Sequence, residues 1–401
     1  MTWMRPSVRE LVLMMAGLMS LNALAIDVML PALPELGQAL GVDDPNHRQY
    51  VVVGFVAGMG FGQLIWGPLS DRFGRRPVLL GCIAGYIVAG AACAIPGNFE
   101  QLVGFRAVQG FFAAGPRVVA ISIVRDLHRG PRMAQVMSWI LMTFMTVPIV
   151  APGIGWMILR VAGWRPVFGS LVIFGVLLGA WVRARLPETL DPSARRSVRV
   201  GPLFRSYFEV ARNPVSRGYA LAVGLVFGIL FGFIGSSEQL FAAFGRAETF
   251  PLYFAGVASA MAAASFVNAR WVDRLGPRRI SHGALIALCT LQLGYWAWLA
   301  GGGSGFAPFY GVMLATFFSF SLIGPNFNAL AMEPMGHLAG TASALLGFSS
   351  TSLAGGFGAG VGQRFDGTVE PIAQGFGTLA AAALIVVVWT ERGRLFGPSS
   401  P

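Results

Sequence analysis

The chain contains no lysine; all 29 of its basic residues are arginine. A phosphate-cradling Gly-x-x-x-x-Gly-Lys-Ser/Thr loop is therefore excluded, and with it ATP hydrolysis by that route. Cysteine and histidine are scarce as well. Cys82, Cys93 and Cys289 fall in apolar stretches, and His47, His128, His282 and His337 are scattered near predicted loops. Neither type shows the spacing of a metal site, and the cysteines read as buried packing residues. No nucleophile, base and orienting partner gather into a catalytic constellation, so neither an enzymatic function nor a cofactor is expected. Charge of either sign is sparse, at 12% of 401 residues.

What fills the chain instead is apolar. Hydrophobic residues make up 55%, glycine contributes 53 positions and the mean hydropathy is +0.65. Those values describe an integral membrane protein. A helix needs roughly 20 apolar residues to cross a bilayer. Twelve such segments are predicted, at about 11–33, 49–68, 78–96, 101–123, 133–158, 166–184, 217–237, 250–270, 280–300, 306–329, 338–361 and 371–390. The first is too long for a signal-peptide core and lacks a small-residue cleavage site, so it is read as retained.

The charges that do occur are organised. Gly67-Pro-Leu-Ser-Asp71-Arg72-Phe-Gly74-Arg75-Arg76-Pro77 follows the second segment, and Asp273-Arg274-Leu-Gly276-Pro-Arg-Arg279 follows the eighth, 202 residues later. An offset of six segments means two similar halves. The expected architecture is all-α: two pseudo-symmetric six-helix bundles, residues 1–184 and 217–401, joined by an arginine-rich cytoplasmic linker, 185–216. With the amino terminus inside, 22 arginines fall on cytoplasmic segments and five on periplasmic ones. This bias places both termini in the cytoplasm. Topology and anionic headgroups explain the net charge of +11, and no nucleic-acid partner is expected.

Two arginines escape that pattern. Arg106 and Arg117 lie inside the fourth segment, eleven residues apart, so about 1100° of helical rotation puts them on nearly the same face, about 16 Å apart. A guanidinium facing lipid is costly, so both are expected to face the protein interior. Asp27 is the acid placed within hydrocarbon depth, in the first segment. Opposite chain directions bring Asp27 and Arg106 to similar depth, where they are expected to meet. Burial favours the protonated acid and a neighbouring guanidinium opposes it, so the pair suits a proton-coupling site that switches as access alternates. A structural ion pair, for Arg117 also snorkelling toward the cytoplasmic end, and for Asp27 a helix-end role before Pro31, are the alternatives. Gly54, Gly58 and Gly62, spaced by four, form a small-residue groove on the second segment for a neighbouring helix.

The first charged loop resembles the signature loop of the major facilitator superfamily. Leu102-Val-Gly-Phe-Arg106-Ala-Val-Gln109-Gly110-Phe-Phe-Ala-Ala114 resembles the fourth-span signature of its drug:proton antiporters. Ile26-Asp27-Val-Met-Leu-Pro31-Ala-Leu-Pro34, Val124-Arg125-Asp126 and Ala339-Gly-Thr-Ala-Ser-Ala344 resemble the bicyclomycin/chloramphenicol-resistance (Bcr/CflA) branch. The fifth-span antiporter signature is altered to Val147-Pro148-Ile-Val-Ala151-Pro152-Gly-Ile-Gly155-Trp156, where only Pro152 and Gly155 match. A pliant helix around Pro148, Pro152 and Gly155 is still expected.

The resemblance implies a secondary transporter of a bacterial inner membrane, a monomer exchanging protons for a small drug-like substrate. A proton-coupled metabolite transporter and a non-transporting membrane sensor remain alternatives. Gln109, Arg117, Asn326 and Asn328 are the expected polar lining of a substrate cavity between the halves, with Glu238 joining them if the seventh helix is longer than drawn. Gly67, Asp71, Arg72, Gly74, Arg75, Arg76, Asp273 and Arg274 are the expected conformational latch. In it, Asp71 approaches the start of the eleventh segment near Gly340 and Thr341, while Asp273 approaches residues 132–135.

Overall fold

The computed structural model describes residues 6–195 and 200–397. The chain divides into two compact units, Met1–Val200 and Gly201–Pro401. In the first unit the predicted segments become α1 (Val8–Asp27), α3 (Tyr50–Phe73), α4 (Arg75–Cys93), α5 (Phe99–Leu127), the pair α6 (Gly130–Phe144) and α7 (Thr146–Ala162), and α8 (Arg165–Arg185). The second unit contributes α10 (Pro214–Ala242), α11 (Phe250–Leu275), α12 (Pro277–Ala300), α13 (Phe306–Met332), α14 (Ala339–Gly362) and α15 (Glu370–Thr390).

Eleven spans among the described residues are long and apolar enough to cross a membrane. The remaining segment, α14, is helical as expected but diluted by glycine and serine, including Gly355, Gly356, Gly358 and Gly360. Its small residues serve contact instead: Gly358 lies against the backbone of Gly232 on α10. The two units repeat one packing scheme. In the first, α4 packs on α5 and α8, and α3 on α5; in the second, α12 packs on α13 and α15, and α11 on α13.

Prolines explain where the helices depart from the predicted segments. The first segment breaks after Asp27 because Pro31 has no N–H for the Asp27 carbonyl. The chain continues through a 3-10 turn, Leu30–Ala32, into the short α2 (Leu33–Ala39). Pro148 likewise cannot bond the carbonyl of Phe144, which is where α6 stops and α7 takes over. Asn213 starts α10, its Oδ1 accepting the N–H groups of Val215 and Ser216 at 3.0 Å, with Pro214 in the first turn. That start lies ahead of residue 217, and the expected linker itself holds a helix, α9 (Val200–Arg212). Its Val210 is buried against Met335 and Ala342, which ties α9 to the second unit.

The glycine groove on α3 is a backbone-to-backbone seam. A Cβ on Gly58 would stand 1.8 Å from the carbonyl oxygen of Ala107, and one on Gly110 would stand 1.9 Å from that of Phe55. Each helix occupies the slot the other's glycine leaves open, which interlocks the pair rather than smoothing it.

Candidate functional site

The break after α1 and the middle of α7 meet at one place. Asp27 ends α1 and is 5% exposed. A Cβ on Gly155 would stand 1.7 Å from the carbonyl oxygen of Val28, the next residue. Gly155, with the buried Pro152 one turn before it, therefore seats α7 directly on the segment that carries the acid. Pro148 sits further back, at the α6–α7 break.

Arg106 lies across from this break on α5 and is fully buried. Its Nε donates to Val51 O at 3.2 Å, Nη1 to Gln109 Oε1 at 2.6 Å and Nη2 to Ala25 O at 2.9 Å. Its guanidinium also covers the Phe55 ring at 4.4 Å from the centroid. The Ala25 contact fulfils the expectation of matched depth, since Ala25 belongs to the last turn of α1. The ion pair with Asp27 is not formed. Among the described residues Asp27 has no hydrogen-bond or ion-pair partner. The guanidinium is instead satisfied by two carbonyls and an amide, because both carbonyls lie within its planar fork. A buried cation held only by neutral acceptors keeps its charge uncompensated, which is costly in a medium of low dielectric.

The expected cavity residues separate. Gln109 is buried and committed to Arg106, with Cys93 Sγ also directed at its Oε1 at 3.8 Å. Arg117 is exposed although Arg106 is not. Asn326 is 3% exposed and bonded to Asn268 Oδ1 and Leu322 O, both at 2.7 Å, which makes it a bridge between α13 and α11. Asn328 is exposed, its Nδ2 turned back to Gly324 O at 3.1 Å. Glu238 lies within α10, which extends to Ala242, and is half-buried.

The latch residues form a clamp within the first unit. Gly67 packs its backbone near Val118, and Asp71 closes α3. Gly74 then turns the chain at φ 103°, a conformation that favours glycine. Arg75, 3% exposed, bonds Asp71 and, through Nε, Asp126 Oδ2 at 2.9 Å. The N–H groups of Arg75 and Arg76 donate to the two oxygens of Glu188 at 2.9 and 3.1 Å, and Arg76 Nη2 reaches Arg183 O. Arg72 is exposed over Phe73.

A counterpart stands in the second unit. Arg278 bonds Glu333 Oε2 at 2.9 Å and Glu391 Oε1 at 3.1 Å, and the Tyr219 hydroxyl joins by donating to Glu391. Asp273 and Arg274 are exposed beside it. Asp126, Glu188, Arg278, Glu333 and Glu391 carried no role in the sequence reading. The repeat could have found some of them: Arg75 and Arg278 are 203 positions apart, and so are Glu188 and Glu391.

Comparison with known proteins bears on this geometry. Residues 15–359 match the Major Facilitator Superfamily profile. The chain is 33% identical over 347 residues to a bicyclomycin resistance protein homolog of Haemophilus influenzae, covering 82% of this chain and 83% of that one. It is 31% identical over 353 residues to a chloramphenicol resistance protein of Pseudomonas aeruginosa, covering 85% and 81%. The solved structure of a D-xylose-proton symporter superposes with a TM-score of 0.74 at 14% identity, covering 94% of this chain and 96% of that one, which is a likeness of fold. Two units that repeat one packing scheme, a doubled charged loop and a family match across most of the chain give one answer: this multi-pass membrane protein belongs to the Major Facilitator Superfamily.

Proposed function

We propose that the chain exports small drug-like compounds in exchange for protons by alternating access, with Asp27 carrying the coupling proton and Arg106 governing its release. The observation that carries the reading is the buried acid at the α1 break, close to a buried guanidinium whose partners are all neutral. The resistance-protein names of its relatives support the substrate class.

In one state Asp27 holds a proton and Arg106 rests on Ala25 O, Val51 O and Gln109. In the other the proton leaves, and the carboxylate compensates the guanidinium charge. Exchanging a neutral acceptor for a carboxylate strengthens the bond, since it adds attraction between opposite charges and suits the planar guanidinium fork. Substrate binding and proton binding then exclude one another through one acid. While Asp27 is protonated the buried Arg106 charge is uncompensated, so neutral or weakly anionic substrates are favoured over dications. Both termini are cytoplasmic, the membrane is the bacterial inner one and the working unit is a monomer. The two charged loops set the rate of the conformational cycle.

The test is proton release on substrate addition to detergent-solubilised protein, after a ligand-stabilisation screen has supplied a substrate. The parent should acidify an unbuffered solution on binding. The Asp27→Asn variant should bind without releasing protons and fail to transport against a pH gradient. Proton release by Asp27→Asn equal to the parent's would place the coupling site elsewhere.

A further inference from the structure

The duplicated loops share a backbone conformation as well as a sequence. Gly74 adopts φ 103°, ψ 156° and Gly276 adopts φ 80°, ψ 156°. Each caps the following helix with no side chain of its own, so the first-turn N–H groups of α4 and α12 have no intrahelical acceptor. In α4 a carboxylate fills the site, with Glu188 accepting from both Arg75 and Arg76 N–H. The chain thereby shows that this turn cradles an anion.

At α12 Pro277 takes the place of Arg75 and brings no N–H, and the amides of Arg278 and Arg279 that follow it are left open. Glu391, the residue 203 positions beyond Glu188, is directed to Arg278 Nε and the Tyr219 hydroxyl instead. No carboxylate among the described residues accepts from the N–H groups of Arg278 and Arg279. A pocket of about 240 Å³ lies there, lined by Arg274, Gly276, Arg278 and Arg279, with Asp273 and Gly397 also on its wall. Arg278 is 7% exposed, and after its bonds to Glu333 and Glu391 its Nη1 has no hydrogen-bond partner. With Arg278 paired to Glu333 and Glu391, the guanidinium groups of Arg274 and Arg279 against the carboxylate of Asp273 leave the exposed lining positive.

We propose that this pocket binds a phosphate-bearing anion. A tetrahedral phosphate supplies acceptors for the two amides and for the fork-shaped guanidinium groups at once, the pairing for which arginine is suited. The position at a helix end joined to a charged loop admits two sources, the headgroup of an anionic phospholipid or a soluble phosphorylated compound. The proposal does not depend on Asp27 or on the direction of transport.

Two probes distinguish the sources on the full-length protein. One is inorganic phosphate, read by ³¹P line broadening in detergent. The other is phosphatidylglycerol in nanodiscs, read by its retention in native mass spectrometry. The double variant Arg274→Gln/Arg279→Gln removes two exposed side chains, one of them lying over Trp271, and it should weaken binding by about tenfold or more. Arg72→Gln, in the loop whose cradle Glu188 already fills, should leave binding unchanged. Phosphatidylglycerol retention lost in the double variant, with phosphate inert, assigns a lipid headgroup. Phosphate broadening lost in the double variant, with no lipid preference, assigns a soluble ligand. Equal binding by parent and double variant, an equal loss in Arg72→Gln, or no binding of either probe overturns the site.

Discussion

Replacing Gly155 with alanine tests the seat of α7 on the α1 break. The added methyl would stand 1.7 Å from Val28 O, whereas ordinary contact begins at 3.4 Å. The obstacle is backbone, which has no rotamer to relieve it, so α7 must lift by about 1.5 Å or tilt, and overpacking of this kind costs about 1–3 kcal/mol. Alanine also gains about 1 kcal/mol of helix propensity over glycine, which would mask part of the clash. Gly153→Ala supplies the correction: it lies on the same helix, and its added methyl meets nothing within 4 Å. The difference between the two variants isolates the clash. Thermal unfolding in detergent, followed by intrinsic fluorescence, should place Gly155→Ala below Gly153→Ala by about 2–12 °C, taking the first unit as the unfolding body. Because Val28 follows Asp27, the same variant should also blunt proton release on substrate binding. A Gly155→Ala midpoint at or above that of Gly153→Ala would refute the close contact and the argument built on it.

Other substitutions probe the site from different sides. Gln109→Ala leaves Arg106 Nη1 without its acceptor and should cost about 1.5–3 kcal/mol of stability, read by the same unfolding assay; Arg106→Lys, which keeps the charge but loses the fork to three separate acceptors, should retain partial transport while Arg106→Ala retains none. Asp71→Asn should slow turnover while leaving substrate affinity within about twofold, because Arg75 keeps Asp126 and the Glu188 cradle; an unchanged transport rate would count against a latch. Arg278→Ala strands Glu333 and Glu391 and should destabilise the second unit by about 3–5 kcal/mol, seen as a lowered unfolding midpoint. In competition assays, uncharged substrates should outrank lipophilic dications of similar size, and the reverse order would contradict a cavity of net positive character.

The parts of the molecule legible in the sequence are those that local physics decides. Segment hydropathy located every crossing helix, and the glycine spacing on α3 located its closest neighbour contact. Matched depth brought Arg106 to the last turn of α1, yet depth says nothing of azimuth, so the choice of Ala25 O over the Asp27 carboxylate could not be read. Asn326 illustrates a second limit. A lone asparagine in an apolar helix reads as cavity lining until Asn268 is seen to satisfy it, and that pairing joins residues 58 positions apart. The arginine clamps were hidden for a third reason. Their acids lie in the last turns of helices or just past them, where sequence shows only scattered charge, and Pro277 shifts the second loop by one position relative to the first.

The interlocked backbones of α3 and α5 have a mechanical consequence. With the Ala107 carbonyl in the Gly58 slot and the Phe55 carbonyl in that of Gly110, neither helix can be displaced along the other without driving a peptide oxygen into a peptide. The two behave as a single plank. One end of that plank carries Asp71 and Asp126, held together through Arg75, and Arg106 lies toward the other. Any tilt imposed at the charged loop is therefore delivered to the buried guanidinium by leverage, with no relay of side chains between them. Genetic suppressors of a slow Asp71 variant should accordingly arise along the edges of this plank, where it bears on α1 and α4, at positions distant from both the loop and the acid.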